Sequence, residues 1–170
     1  MITVIIHCKE DIAPLADTLA MLVSGAVHGL VSEVILWSEH NSIVLKTIAD
    51  DTGCNYFANS CFVDAVKQAK NKWILFLGPG ARLLDQWREI ISRYIATEVK
   101  PVSFQSVMPR RVFSFATLFR QRSREDTGLL ILKEQIIALN ITNNEQRQKS
   151  RKLKPVILPV QIITPEQIKL

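Results

Sequence analysis

Three histidines, three cysteines and sixteen carboxylates are the side chains of this 170-residue sequence with the chemistry to move protons, attack carbonyls or hold metals. Their spacing removes most of that chemistry. His7, His28 and His40 are scattered and share no ligand spacing. Cys8, Cys54 and Cys61 are odd in number and form no CxxC pair, which fits reduced thiols packed as small apolar groups rather than a zinc site or a disulfide frame. Cys8 closes a strand-like run, where a nucleophile would be presented, but no histidine or acid is spaced to activate it. Asp50 and Asp51 adjoin near a helix end and read as a solvated pair. The sharpest feature is a turn, Gly78-Pro79-Gly80, which follows the apolar run 73–77 and precedes Arg82. Between Leu77 and Arg82 there is no carboxylate, imidazole or hydroxyl, so the turn's own side chains can neither ligate a hard metal nor move a proton.

The elements around the turn place it. Residues 73–77 are continuously apolar and of strand length, as in a strand buried on both faces of a sheet, and the Gly-Pro-Gly segment ends that strand abruptly. Before it come strands predicted over 3–7, 33–37 and 54–57. These alternate with helices over 12–23, from a cap at Asn41 or Ser42 through Asp50, and from a cap at Asn59 or Ser60. Asp85 is expected to cap the next helix, whose stripe is Trp87, Ile90, Ile91, Tyr94 and Ile95. This β-α alternation predicts a parallel sheet with helices on both faces, whose ligands bind outside the carboxyl ends of the strands. Beyond Pro101 the rhythm changes. Strands are predicted over 102–107 and 127–132, helices over 112–122, 133–139 and 143–152, and an edge strand or extended segment over 155–163 because it carries Pro155 and Pro159.

A hydrophobic content of 48% supports one sizeable core. No uncharged apolar stretch approaches the roughly 20 residues that span a bilayer, and the first residues lack a secretory leader, which predicts a cytoplasmic protein. The net charge of +5 is unevenly held: residues 1–97 balance to −2 and residues 98–170 to +7. Arg110, Arg111, Arg120, Arg122 and Arg124 form one basic cluster, and Arg147, Lys149, Arg151, Lys152 and Lys154 another. Such clusters either form a solvated helix face or meet an anionic partner such as the inner membrane face, nucleic acid or an acidic protein.

The first part of the chain resembles the family 2 glycosyltransferases, in particular their small bacterial branch. The likeness is carried by Ile2-Thr-Val-Ile-Ile-His-Cys-Lys-Glu-Asp11, Gly29-Leu-Val-Ser-Glu-Val-Ile-Leu-Trp37, Thr47-Ile-Ala-Asp-Asp-Thr-Gly53 and Lys72-Trp-Ile-Leu-Phe-Leu77. The resemblance implies an α/β, Rossmann-like GT-A fold with a mixed, mainly parallel sheet flanked by helices on both faces. It implies a single domain over 1–170, with a nucleotide-binding half at 1–97 and a shortened, basic acceptor-side half at 98–170. It also implies a nucleotide-sugar as ligand and, in an active member, hexosyl transfer. Glu10 or Asp11 would help hold the nucleotide base, and Ser38 with Glu39 stands where the family has a base-binding carboxylate. Gly78-Pro79-Gly80 replaces the family's Asp-x-Asp metal motif, so the divalent ion expected of the family has no ligands here and no cofactor is expected. Gly78, Gly80 and Arg82 would then lie against the nucleotide, and the diphosphate charge would fall to Arg82 or to the cluster at Arg120, Arg122 and Arg124. The family's Glu-Asp base pair is missing from its place; Glu145 is the nearby carboxylate, and Glu125-Asp126 has the right residue types before a strand. The chain is thus expected to be either a transferase of reduced activity or a binding module without chemistry.

Overall fold

The computed structural model describes residues 1–8, 13–59, 61–107, 128–138 and 155–163. Trp73–Leu77 (β4) is the axis of the molecule, and all five of its side chains are buried. Parallel to it runs β1 (Ile2–His7), then β2 (Val31–Ser38), then the short β3 (Asn55–Ala58). The helices α1 (Leu15–Val27), α2 (Ile43–Thr52) and α3 (Phe62–Gln68) make the crossovers, as parallel pairing demands.

Because side chains alternate along a strand, the sheet has two cores. Ile2, Val4, Ile6, Leu36, Leu75 and Leu77 join Leu15 and Leu22 of α1, Leu45 of α2 and Ile91 of α4 (Trp87–Thr97) on one face. Ile5, Ile35, Trp37, Ile74 and Phe76 meet Phe62, Ala65 and Val66 of α3 and Ile136 of α5 (Lys133–Ala138) on the other. Each fully buried Leu or Ile contributes about 1.5–3 kcal/mol, which fixes the register of a strand that would otherwise slip.

The later strands reverse direction. β7 (Leu129–Leu132) lies antiparallel against β4, β6 (Val102–Ser106) antiparallel against β7, and β8 (Val156–Ile163) parallel to β6. The two-residue β5 (Arg82–Leu83) closes the series against the end of β8, giving the order β3-β2-β1-β4-β7-β6-β8-β5. Four strand steps in a flat sheet would separate β4 from β5 by about 19 Å. Only residues 78–81 join them, and that segment is a tight turn, so the sheet curls until β5 returns beside the end of β4.

Three expectations change. The strand carrying Pro155 and Pro159 is not an edge, because β8 pairs with β6 on one side and β5 on the other. Pro159 falls where the β6–β8 register slips between Phe104 and Gln105, an irregularity that accepts a residue with no N–H. Asp85 does not cap α4: Gln86 occupies the cap without a side-chain bond, and both residues have positive φ, 28° and 50°. Cys61, not Asn59, stands at the N-cap of α3 and makes no side-chain capping bond; Ser60 lies outside the described residues. Ser42 does cap α2, accepting from the Leu45 N–H at 3.3 Å. The helices predicted over 112–122 and 143–152, and both basic clusters, lie outside the described residues.

Candidate functional site at the carboxyl ends of the strands

Since β1, β2, β3 and β4 run parallel, their carboxyl ends open along one rim. His7 ends β1 there, half-buried. Its ring centroid lies 4.4 Å from that of Trp37, which continues through Phe62 (5.4 Å) to Phe76 (5.0 Å) as an aromatic column on the α3 face. The His7 Nε2 is 4.0 Å from the Glu39 carboxylate, so these two groups meet at the rim. Ser38 is buried and follows Trp37 by one residue, so by strand alternation it belongs to the α1/α2 face. The structure therefore brings Glu39 to His7 and sets Ser38 on the other side of the sheet. The loop between them and α2 is pinned from β3, where the Tyr56 hydroxyl accepts from the Ser42 N–H at 2.7 Å.

The turn after β4 is closed. The Ala81 N–H donates to the Gly78 carbonyl at 3.1 Å, with Pro79 at the second position and Gly80 at φ 82°, the positive value a type II turn requires of its third residue. Thr18 of α1, fully buried, donates its hydroxyl to the Ala81 carbonyl at 3.0 Å and lies 3.4 Å from the Gly78 carbonyl. Gly78 and Gly80 are buried, and Arg82 is half-buried one residue beyond the turn. The Arg82 Nε is buried with no hydrogen-bond partner among the described residues.

These donors do not fit a divalent cation. The turn has no side-chain oxygen, its Gly78 and Ala81 carbonyls already accept hydrogen bonds, and no group of three His, Cys, Asp or Glu suited to a metal occurs among the described residues. Cys8 is no nucleophile either. Burial, with Cys54 nearby, pushes its thiol up to about 12, and the thiol points back to the Ile6 carbonyl at 3.6 Å. Glu10, Asp11, Asp126 and Glu145 lie outside the described residues, as do Arg110, Arg111, Arg120, Arg122 and Arg124. No described helix is long and apolar enough to cross a membrane.

Sequence reasoning passed over Thr18, although its signal was there: a lone hydroxyl on the buried stripe formed by Leu15, Leu22 and Gly25. It also passed over Glu33. That carboxylate, buried at the opposite rim, accepts from the Thr3 hydroxyl (2.8 Å), the Asn55 amide (2.9 Å) and the Lys70 N–H (2.9 Å), and binds three strands together. A groove of about 430 Å³ lies between α1 and the start of α4, lined by Ala20, Met21, Ser24, Asp85, Gln86 and Arg88 among others, and shares no residue with the rim.

No protein-family model matches the sequence, and no curated protein matches it. Solved structures do match in fold. A cytidylyltransferase from Leptospira borgpetersenii superposes with a TM-score of 0.56 at 16% identity, over 93% of this chain and 74% of that one. The glucosyl-3-phosphoglycerate synthase of Mycobacterium tuberculosis gives 0.59 at 10% identity, over 96% and 71%. The mannosyltransferase PcManGT of Pyrobaculum calidifontis, solved with GDP-Man and Mn²⁺, gives 0.60 at 10% identity, over 94% of this chain and 56% of its own. The chain shares the Rossmann-like GT-A fold of these structures.

Proposed function

We propose that this chain binds a nucleoside diphosphate or its sugar conjugate at the rim formed by β1, β2 and β4, with transferase activity reduced or absent. The observation that carries the reading is the turn at 78–81. It follows the central strand of a GT-A sheet, where the sequence resemblance places an Asp-x-Asp motif, and it presents Gly, Pro, Gly and Ala instead. Neighbours of the same fold use nucleotide-linked sugars, as the mannosyltransferase held with GDP-Man illustrates, and open α/β sheets bind ligands at this rim. In this reading Glu10, Asp11, Ser38 and Glu39 serve the nucleoside, and Gly78, Gly80 and Arg82 the phosphates. Asp126 and Glu145 are the carboxylates left to take a proton from an acceptor in any residual hexosyl transfer.

The test is calorimetric titration with UDP, GDP, CDP and ADP and their sugar conjugates, alongside a transfer assay with the same donors. Saturable binding of one nucleotide with little or no turnover is the expected result. Failure of every nucleotide to bind overturns the reading.

A second reading rests on the charge asymmetry, +7 in residues 98–170. Here the chain is a non-catalytic module in the cytoplasm whose Arg110, Arg111, Arg120, Arg122 and Arg124 meet an anionic partner, the inner membrane face first among them. Co-sedimentation with phosphatidylserine vesicles that declines steeply with salt supports it; salt-independent or absent binding removes it.

A further inference from the structure

We infer that the rim takes its diphosphate without a divalent cation, with the Arg82 guanidinium standing in for the metal and Thr18 holding the turn that presents it. The inference rests on the nucleotide reading above and specifies the chemistry of that same site.

A divalent ion bridges protein and diphosphate only where the protein supplies oxygens, ordinarily carboxylates. At this turn the side chains supply none. Two of the turn's carbonyls are engaged as well: the Gly78 carbonyl accepts from the Ala81 N–H and faces the Thr18 hydroxyl, and the Ala81 carbonyl accepts from Thr18. The turn is thereby fastened to α1 by a fully buried hydroxyl and needs no ion to hold its shape.

A diphosphate still brings charge that must be met. Arg82 is the cation next to the turn, and it has no competing engagement among the described residues. No described carboxylate pairs with it, and its buried Nε lacks an acceptor. A phosphate fits a guanidinium in two places at once through the terminal Nη groups, with the buried Nε behind the contact. Arg88, the next arginine, is already committed: its Nη1 lies 2.9 Å from His28 Nδ1 and its Nη2 3.5 Å from the Glu89 carboxylate. Thr18 is a positioning residue, acting through the turn and not on the ligand.

The experiment is calorimetric titration of the full chain with the best-binding nucleoside diphosphate and with its parent nucleoside, each in EDTA and in Mn²⁺, for the unaltered protein and for Arg82→Gln, Arg82→Lys and Arg88→Gln. Expected is an affinity indifferent to EDTA and Mn²⁺, and lowered roughly 10- to 100-fold by Arg82→Gln. Arg82→Lys should recover part of the loss, and Arg88→Gln, which removes the same net charge elsewhere, should leave the affinity unchanged. The parent nucleoside should bind equally to unaltered and Arg82→Gln protein, which also shows that the variant is folded. Binding that requires Mn²⁺, or a diphosphate affinity unmoved by Arg82→Gln, overturns the inference while leaving the nucleotide reading intact. Failure of diphosphate and nucleoside alike to bind the unaltered protein overturns both.

Discussion

Cys8 shows how burial turns a candidate nucleophile into a structural group. Its thiol stays protonated in the fold up to about 12, against an ordinary value of 9.0. Because the folded value lies above the unfolded one, the stabilisation is complete below about pH 9 and is lost as the pH rises toward 12. The unfolded chain ionises first, and the loss reaches about 4 kcal/mol at most. Urea melts between pH 8 and 11 should therefore show a falling midpoint, and Cys8→Ala should flatten that alkaline limb even though it lowers stability at neutral pH. At pH 8 a thiol reagent should label exposed Cys61 rapidly and Cys8 only on unfolding. Glu33 is a buried carboxyl group held by three hydrogen-bond donors, with the Lys70 ammonium 3.8 Å away. Glu33→Ala strands the Thr3, Asn55 and Lys70 donors and should cost roughly 2–4 kcal/mol in chemical denaturation, with Glu33→Gln clearly milder because it keeps the shape and an acceptor oxygen.

At the scale of elements, strands β1, β2 and β4 and helices α1 to α4 were legible within a few residues because their apolar spacing is strong and local. The caps were less so. Ser42 was readable, since a serine ahead of a helical stripe has one obvious use, and the structure uses it. Asp85 has the same residue type before an equally clear stripe, yet the chain leaves β5 in a direction that forces Asp85 and Gln86 into positive φ, out of capping geometry. That strain belongs to the route of the chain, not to the residues. Replacing Gln86 by glycine should accordingly stabilise the fold by about 0.5–1 kcal/mol, read as a raised melting temperature, because glycine adopts φ 50° without the cost of a Cβ. An unchanged or lowered midpoint would show that the Gln86 side chain contributes packing that outweighs the strain.

On the scale of the whole molecule, the site depends on the curl. β5 is tied to the end of β4 by residues 78–81, and the curl brings β8 round to pair with it through Leu83 and Ile162, the latter fully buried. Ile162→Ala should cost about 2–5 kcal/mol, as truncations in a packed core do, and should also speed hydrogen exchange at the Ala81 N–H, more than 70 residues away in sequence but beside it in the fold. A uniform loss of protection across the molecule, without a local effect at the turn, would argue that closure of the sheet and order in the turn are independent.

The sequence by itself determined the layered α/β class, the central strand Trp73–Leu77 and the absence of side-chain oxygens in the turn that follows. Those are matters of residue type and short-range periodicity, which a linear reading carries in full. Only the tertiary structure decided which of the rim residues meet. Ser38 is buried at the end of β2 while Glu39, just beyond it, meets His7; the crossing of α1 sets Thr18 over the turn; the curl of an eight-stranded sheet brings β8 round to close against β5. Each of these contacts joins residues fixed by the packing of separate elements, and no local propensity encodes the angle at which two elements pack.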